Sequence, residues 1–252
     1  EKSSLAIDNG AKGIIIFNQV DGGVLLTGTA SVTGSLLPIP AVCISKEAGM
    51  ALKEQLKTEK VEAHISMTNN SGLINARNVV ATIMGTEKPN EIIVLGGHLD
   101  SWDLGDGAHD DGAGVVQSME VLRLLLLKNF RPKNTIRVVL FANEENGLMG
   151  AKAYAESVKE KKETHLLALE SDTGGFTPRG FSFDTRDKYF NKILSWKHYF
   201  KPYFIHLFEQ KGSGADVNLL KGNAKVLAGL RTDSQRYFTH HHSEMDTFDQ
   251  IN

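Results

Sequence analysis

Residues 92–100 read IIVLGGHLD, an apolar β-branched run that ends in a histidine and an aspartate. A second segment of the same kind, IRVVLFANEEN, covers residues 136–146 and ends in Glu144 and Glu145. Short apolar runs bounded by glycine and polar residues indicate buried strands. In open α/β sheets, side chains just past the carboxyl ends of such strands form the active site. The two segments therefore predict an α/β fold with a polar site at one edge of its sheet.

The pattern around these segments alternates between strand and helix. It predicts strands over residues 78–83, 92–96, 135–142 and 166–170, and helices over residues 114–127, 150–160 and 188–199. Such alternation is typical of a mostly parallel central sheet flanked by helices.

The chain before this region has a different character. Residues 14–17 and 37–44 are predicted strands, and Ser45 is the predicted N-cap of a helix over residues 46–56. The glycine- and threonine-rich stretch 21–35 has no phosphate-loop pattern, which favours a plain surface loop. A polar, turn-forming stretch at residues 69–72 marks the predicted boundary. We therefore expect a small β-rich domain over 1–70 and a catalytic domain over 71–252.

Composition restricts the classes of function. The 252-residue chain is 41% hydrophobic with a formal net charge of −2, which argues against nucleic acid or an anionic membrane as the main partner. No apolar run approaches the roughly 18 residues of a membrane span. The single cysteine, Cys43, cannot form an internal disulfide and gives no signal of compartment. The first residues lack a signal-peptide pattern and an initiator methionine, so we expect a processed or truncated chain.

His98 is the first candidate metal ligand. A lone histidine at the end of a strand is more often structural, but here two glycines precede it and Asp100 follows two residues later. Positions i and i+2 of an extended chain share a face. Asp100 is therefore expected to accept the proton on the far imidazole nitrogen and to fix the tautomer of His98.

Carboxylates supply the remaining candidates. Asp110 and Asp111 open a predicted helix, where one of them can cap free backbone N–H groups. Two consecutive carboxylates are more than a cap requires, which makes Asp110 the candidate bridge between two metals. Glu144 and Glu145 would repel each other without cations, so we expect one to bind metal and the other to address a water. Asp172 offers a further carboxylate.

A run of three histidines, residues 240–242, comes near the end of the chain. Its position inside a longer sequence argues against an engineered tag, although the pattern alone leaves open which histidine binds metal. Imidazole and carboxylate ligands without a nearby cysteine suit zinc or a similar divalent ion held for hydrolysis. Cobalt and manganese can share such ligands.

Five motifs carry a family resemblance: GGHLDSW (96–102), GAHDDGAG (107–114), NEENG (143–147), ESD (170–172) and HSEMDT (242–247). Together they resemble the co-catalytic zinc exopeptidases that include bacterial leucyl aminopeptidases and the glutamate carboxypeptidases, most of all the plasma glutamate carboxypeptidases and their bacterial relatives. The first block resembles the protease-associated domain that some members carry ahead of the catalytic motifs.

The resemblance implies a role for each site residue. It implies that Asp110 bridges two zinc ions. His98 and Asp172 are implied to complete one zinc site, and Glu145 and His242 the other. Glu144 is the implied general base and acid, and Asp100 the implied orienting partner of His98. His242 is implied because the family's ligand directly precedes serine or threonine. His241 stands where several relatives have a tyrosine, and is the implied donor to the oxyanion.

The activity implied is hydrolysis of terminal peptide bonds in short peptides or dipeptides, by an aminopeptidase, carboxypeptidase or dipeptidase. The resemblance also implies a secreted or periplasmic homodimer, and a catalytic domain that lacks its N-terminal segment and last helix here. Two alternatives are a glutaminyl-cyclase-like zinc enzyme, which would bind one zinc, and a non-catalytic binding protein. Residues 212–216 and 231–233 flank the final strand and are expected near the cleft, with Arg231 a candidate for a substrate carboxylate or for a surface ion pair.

Overall fold

The computed structural model describes residues 2–31 and 35–251, so Glu1, residues 32–34 of the predicted surface loop, and Asn252 lie outside the described residues. The N-terminal block contains helices α1 (Lys2–Asp8) and α2 (Lys46–Gln55) and the parallel strands β1 (Ile14–Phe17) and β2 (Ala41–Ile44). Ser45 caps α2 as predicted, because its hydroxyl accepts a hydrogen bond from the N–H of Ala48 at 3.3 Å. β2 is shorter than predicted, since Pro38 and Pro40 lack the N–H that a strand donates.

Seven further strands form one sheet. They are β3 (Val79–Ile83), β4 (Lys88–His98), β5 (Asn134–Phe141), β6 (Thr164–Glu170), β7 (Pro178–Thr185), β8 (Leu207–Glu209) and β9 (Val226–Thr232), in the spatial order β3-β5-β4-β6-β9-β7-β8. The four inner strands β5, β4, β6 and β9 run parallel, while β3 and β7 pair antiparallel with their inner neighbours. The expected α/β fold with a mostly parallel central sheet is confirmed, and the parallel strands all end at the same edge.

Helices connect and flank these strands. They are α3 (Ala113–Leu127), α4 (Met149–Glu160), α5 (Asp187–Leu194), α6 (Lys197–Phe200) and α7 (Tyr237–His240). α3 and α4 begin within one residue of their predicted starts. The prediction of one helix over residues 188–199 is wrong, because the chain breaks between α5 and α6. The Ser195 hydroxyl donates to the carbonyl of Lys192, and the Trp196 N–H bonds Ile193, which tightens the helix end.

The main core lies between the inner strands and α4. Val94, Val139 and Phe141 on the strands pack against Tyr154 and Val158 on α4, and all five are buried. This burial of apolar surface holds the inner strands in register and so fixes where each of them ends.

Residues 60–78 connect the N-terminal block to β3 and form neither helix nor strand. The predicted domain boundary at residue 70 falls inside this segment and stays a prediction. Within residues 2–31 and 35–251, no helix is long and apolar enough to cross a membrane.

Candidate metal centre

The four inner strands bring the predicted ligands to one edge of the sheet. His98 is the last residue of β4, Glu144 and Glu145 follow the end of β5, and Asp172 lies two residues past β6. His242 lies two residues past α7, in the segment that follows β9, and Asp110 lies in the irregular turn before α3, where the peptide bond to Asp111 is cis. Residues far apart in sequence therefore converge because their strands end together.

Asp110 lies between two imidazoles. Its Oδ1 is 3.3 Å from Nε2 of His98, and its Oδ2 is 3.3 Å from Nε2 of His242. One carboxylate whose two oxygens face two different imidazoles has the arrangement that a bridging ligand needs. The predicted bridging role of Asp110 fits this position.

The other two predicted ligands divide between the imidazoles. Oδ1 of Asp172 lies 3.6 Å from Nε2 of His98, and Oε2 of Glu145 lies 3.1 Å from Nε2 of His242. Each half of the centre thus offers one imidazole and one carboxylate beside the shared Asp110. This is the division that the resemblance implied, and the individual roles stay predictions.

His241 shares space with His242. The two rings stack with centroids 3.6 Å apart, and Nε2 of His241 lies 3.4 Å from Oδ2 of Asp110. Among the ion contacts of the described residues, Glu145 pairs with His242 and not with His241. His242 is therefore better placed to be a metal ligand. His241 lies beside it and faces the Asp110 carboxylate.

The chemistry of the donor set fits divalent cations. Groups that could hold a metal ion recur around the edge, with ligand atoms of Asp110, His241 and His242 in one and of His98, Asp111 and Asp172 in another. Within the described chain, Oδ2 of Asp110, Oε1 of Glu145 and Oδ1 of Asp172 are buried without a hydrogen-bond partner. Buried carboxylate oxygens without donors are costly, and coordinated cations would satisfy them. Imidazole and carboxylate together suit zinc.

The pKa shifts report the same excess of negative charge. Burial alone lowers the pKa of His98, but the carboxylates of Asp110 and Asp172, 3.3 and 3.6 Å from its Nε2, outweigh it and raise that pKa well above its usual range. Burial likewise opposes protonation of His242, yet contacts with Asp110 and Glu145 raise its pKa to about 9. Carboxylates that attract a proton this strongly would also attract a metal cation.

Glu144 differs from the other carboxylates of the edge. Burial raises its pKa to about 7, and the nearby carboxylates of Asp172 and Glu145 add to the shift. The described residues give its side chain neither a hydrogen bond nor an ion pair. It therefore stays available to a ligand, and its predicted role as the base is compatible with this placement.

The expected role of Asp100 is wrong in its atomic detail. Nδ1 of His98 bonds the backbone carbonyl of Asp100 at 2.7 Å, whereas the Asp100 carboxylate lies 3.9 Å from that nitrogen. β4 ends at His98 and the chain bends at Leu99, so the two side chains no longer share a face. The carboxylate instead accepts from the N–H groups of Glu144 and Glu145, at 2.9 and 3.2 Å.

Asp111 is a structural partner of the site. Its Oδ2 accepts from the N–H of His98 at 2.9 Å and its Oδ1 from the N–H of Gly114 at 3.1 Å. The capping role considered for this aspartate pair therefore falls to Asp111. A side chain at Gly97 would collide with the Asp111 carboxylate, which explains the glycine just before His98.

Three residues beside the ligands escaped the sequence analysis. Asp246 accepts from the N–H groups of His109 and Asp110 at 2.6 and 3.0 Å, and the Trp102 indole N–H donates to Oε2 of Glu145 at 2.8 Å. The buried Tyr237 hydroxyl faces Asp110. Asp246 and Trp102 lie inside the motifs quoted above, and Tyr237 lies one helical turn before His241. Their closeness in sequence to predicted site residues is the signal that could have identified them.

Two further buried carboxyl groups lie near the centre. Burial raises the pKa of Glu170 to about 7 and that of Asp216 to about 8. Glu170 accepts a hydrogen bond from the N–H of Val217 at 2.8 Å, and Gly214 packs so closely on its side chain that a Cβ there would collide. Gly214, inside the segment 212–216 expected near the cleft, and Val217 just after it therefore contact the strand that leads to Asp172.

The comparisons with known proteins identify the family of the chain. The sequence pattern described as "Peptidase family M28" matches residues 78–252, and that of the "PA domain" matches residues 1–52. The chain belongs to peptidase family M28. Carboxypeptidase Q of Mus musculus is 35% identical over 223 residues, which cover 88% of this chain and 47% of that protein. Probable leucine aminopeptidase 2 of Aspergillus fumigatus is 29% identical, over 66% of this chain and 32% of that protein.

Solved structures show the same fold. The crystal structure of a peptidase M28 precursor from Shewanella amazonensis matches with a TM-score of 0.87 and 32% identity, covering 100% of this chain and 58% of that one. A zinc aminopeptidase from Bacillus subtilis matches with a TM-score of 0.68 at 23% identity, covering 100% of this chain and 62% of that one, a likeness of fold alone. The chain spans about half the length of the carboxypeptidase Q relatives it matches.

Proposed function

We propose that this chain carries the catalytic centre of a zinc-dependent exopeptidase that holds two metal ions. The observation that supports this proposal is the placement of Asp110 between the imidazoles of His98 and His242, each with its own additional carboxylate, Asp172 or Glu145. Membership of family M28 supports zinc and peptide substrates. The count of two ions is our inference from the geometry.

The proposed mechanism assigns proton transfer to Glu144. Zinc, when bound, lowers the pKa of a water molecule and polarises the scissile carbonyl. The Glu144 carboxylate takes the proton from the attacking water and delivers it to the departing amine. Asp100 holds the turn that carries Glu144, through its bond to the Glu144 N–H. The nitrogen Nδ1 of His98 is fixed by the Asp100 carbonyl, which leaves Nε2 to face the centre.

Stabilisation of the oxyanion has two candidate donors. His241, the predicted one, lies beside Asp110 with Nε2 turned toward the centre. Tyr237 is the second, because its hydroxyl faces the same carboxylate from α7. Burial and the surrounding carboxylates raise the pKa of Tyr237, so the phenol keeps its proton at neutral pH and can donate it in a hydrogen bond.

For the finer specificity we propose capture of the free carboxyl end of the peptide. Arg236 lines a cavity of about 360 Å³ together with Phe176, and its guanidinium lies 5.5 Å from the centre of the Phe176 ring. The same ring stacks on His109, the neighbour of Asp110, with centroids 4.3 Å apart. Arg236 thus replaces Arg231 as our candidate for the substrate carboxylate, and the name of the carboxypeptidase Q relatives agrees with this choice.

The test uses the full-length protein and one dipeptide in free, amino-blocked and carboxyl-blocked forms, with products followed by mass spectrometry. Loss of cleavage only on carboxyl blocking supports the proposal, and loss only on amino blocking indicates an aminopeptidase instead. Loss on both indicates a dipeptidase.

Glu144→Gln supplies the control for the chemistry in the same assay. We expect turnover to fall by about 10²–10⁴-fold, as for loss of a general base, with both zinc ions retained. The matched control is Glu160→Gln, at the exposed end of α4. Near-wild-type turnover of Glu144→Gln would refute the assigned base. A wild-type protein that holds one zinc and cleaves none of the peptides would refute the proposed function.

The resemblance also supports a secreted or periplasmic homodimer as a proposal. Cell fractionation tests the compartment, and light scattering of the purified full-length protein tests the dimer.

A further inference from the structure

The N-terminal block touches the metal centre directly. The N–H of Thr27 donates to the backbone carbonyl of His242 at 2.8 Å, and the Thr27 hydroxyl donates to the same oxygen at 3.0 Å. Leu26 forms an isolated antiparallel bridge with Ser243. The stretch expected to be a plain surface loop therefore pairs with the backbone of a predicted metal ligand, more than 200 residues later in the sequence.

The backbone of His242 needs such support. Its φ is +57°, in the left-handed region that residues other than glycine seldom adopt. From inside the loop, the N–H of Ser243 bonds the carbonyl of His240 at 3.1 Å. From outside, the carbonyl of His242 itself is held by both donors of Thr27. The two sets of hydrogen bonds together keep His242 in this conformation.

This conformation decides where the imidazole lies. In it, Nε2 of His242 is within 3.3 Å of Asp110 and 3.1 Å of Glu145. A change in φ or ψ at His242 would swing the ring away from both carboxylates, because the side chain moves with its backbone. The contact from Thr27 therefore acts on the ligand through the peptide group.

The segment that carries Thr27 is itself anchored. The N–H groups of Gly22 and Gly23 donate to the carboxylate of Glu47 on α2, at 2.8 and 3.1 Å. The side-chain amide of Asn18 donates to the carbonyl of Val24 at 2.7 Å, and the Val24 side chain is buried. Hydrogen bonds thus anchor residues 22–24, just before Thr27, to the body of the N-terminal block, so the block can hold the ligand loop rather than follow it.

We propose that Thr27 is a positioning residue for the metal ligand His242, and that the N-terminal block is thereby an integral part of the metal centre. The inference rests on the proposed function, since it takes His242 to be a ligand. It gives the block a role in binding one of the two metals, the one held by His242 and Glu145.

The test measures zinc affinity rather than activity alone. Wild type, Thr27→Val, Thr27→Ser and Thr29→Val are made in the full-length protein and titrated with zinc against a chromophoric chelator. Thr27→Val keeps the shape but loses the hydroxyl donor, whereas Thr27→Ser keeps it. Thr29 is a matched control in the same loop, and its hydroxyl donates to the carbonyl of Ser31 in its own segment.

We expect Thr27→Val to weaken one of the two zinc sites by about 10-fold, at the lower end of the effect of losing a partner that orients a ligand, and to leave the other site unchanged. Thr27→Ser and Thr29→Val should match the wild type. The melting temperature of the metal-free protein should be the same in all four proteins, while zinc should raise it less in Thr27→Val. A purely structural role would instead lower the metal-free melting temperature.

Two outcomes would overturn the proposal. Unchanged affinity at both sites in Thr27→Val would remove the positioning role of the Thr27 side chain while leaving the proposed function intact. A wild-type protein that binds no zinc would refute the proposed function itself, and the assignment of Thr27 with it.

Discussion

Strand β6 joins two charged clusters that differ in how they are balanced. At its start, both terminal nitrogens of Arg137 donate to the two oxygens of Glu163, at 2.7 and 3.0 Å. Arg137 also donates to the Tyr154 hydroxyl at 3.0 Å, and that hydroxyl bonds Nε2 of His165 at 2.9 Å. One guanidinium and one carboxylate therefore neutralise each other within the chain.

At the other end of β6 the positive and negative charges do not cancel within the chain. The carboxylates of Asp110, Asp172 and Glu145 meet the imidazoles of His98 and His242, and several of their oxygens are buried without a donor. A cluster that is neutral in itself stabilises the fold, whereas one with excess negative charge requires cations from outside. The comparison teaches that charge balance, more than burial, separates a structural cluster from a functional one.

The largest expected effect is the loss of metal binding from the functional cluster while the fold stays intact. Asp110→Ala should remove zinc from both sites, because each site loses the carboxylate that they share, and activity should fall by more than about 10⁴-fold. Metal content by mass spectrometry checks this. The metal-free protein should be at least as stable as wild type in urea, since one buried carboxylate has gone. Retention of two tightly bound zinc ions would remove the bridging role.

The opposite result is expected at the start of β6. Arg137→Met leaves Glu163 without its partner in a partly buried position and should cost about 2 kcal/mol of unfolding free energy, measured in urea on the metal-free protein. Zinc affinity of the folded protein should not change. Arg123→Met is the matched control, because the Arg123–Glu120 pair is exposed and its loss should leave the free energy of unfolding nearly unchanged. A loss of zinc in Arg137→Met would show that the two clusters are coupled.

A pH titration sharpens the same contrast. Burial lowers the pKa of His165 to about 4, below its usual value of about 6.5. Between these values the unfolded chain binds a proton that the folded chain excludes, so stability falls as pH drops from about 6.5 to 4. Between pH 7 and pH 5 the metal-free wild type should lose about 2 kcal/mol more than His165→Gln.

The comparison needs one further variant for His165. His206→Gln, at an exposed histidine, should follow the wild type over the same pH range. Parallel curves for the wild type and His165→Gln would show that His165 is not held neutral by the fold.

The smallest effect concerns a single bond to a ligand. Trp102→Phe removes the indole N–H that Glu145 accepts and should weaken one zinc site by about 10-fold, with the other site unchanged. Chelator competition measures both constants, and Trp196→Phe, at a half-exposed tryptophan between α5 and α6, is the control. Equal weakening of both sites would mean that Trp102 acts on the whole edge rather than on Glu145.

Much of the site could be predicted because its residues lie next to strong strand signals. The apolar run before His98 and the one before Glu144 each mark the end of an inner strand, and parallel strands end at one edge. The prediction that failed concerned the local geometry around Asp100. The i, i+2 argument for Asp100 assumed an extended chain, but the strand stops at His98, so a carbonyl replaced the carboxylate.

Other features had no adequate signal in the sequence. β7 includes Pro178 and Gly180, which weaken a strand pattern, and it forms because β9 offers it an antiparallel partner. The helix break at Ser195 depends on a hydroxyl that bonds its own backbone. The contact of Thr27 with His242 joins two loops whose patterns are both irregular, so periodicity could not reveal it.

The sequence by itself determined the class of the fold, the set of ligand types and the edge at which they gather, because apolar periodicity and residue chemistry are local properties. Only the tertiary structure decided that the backbone of Asp100 holds His98, that Asp111 caps α3, and that Thr27 reaches the loop of His242. The first two contacts are local and depend on where β4 and the turn before α3 end, while the third joins segments more than 200 residues apart, and tertiary packing sets both.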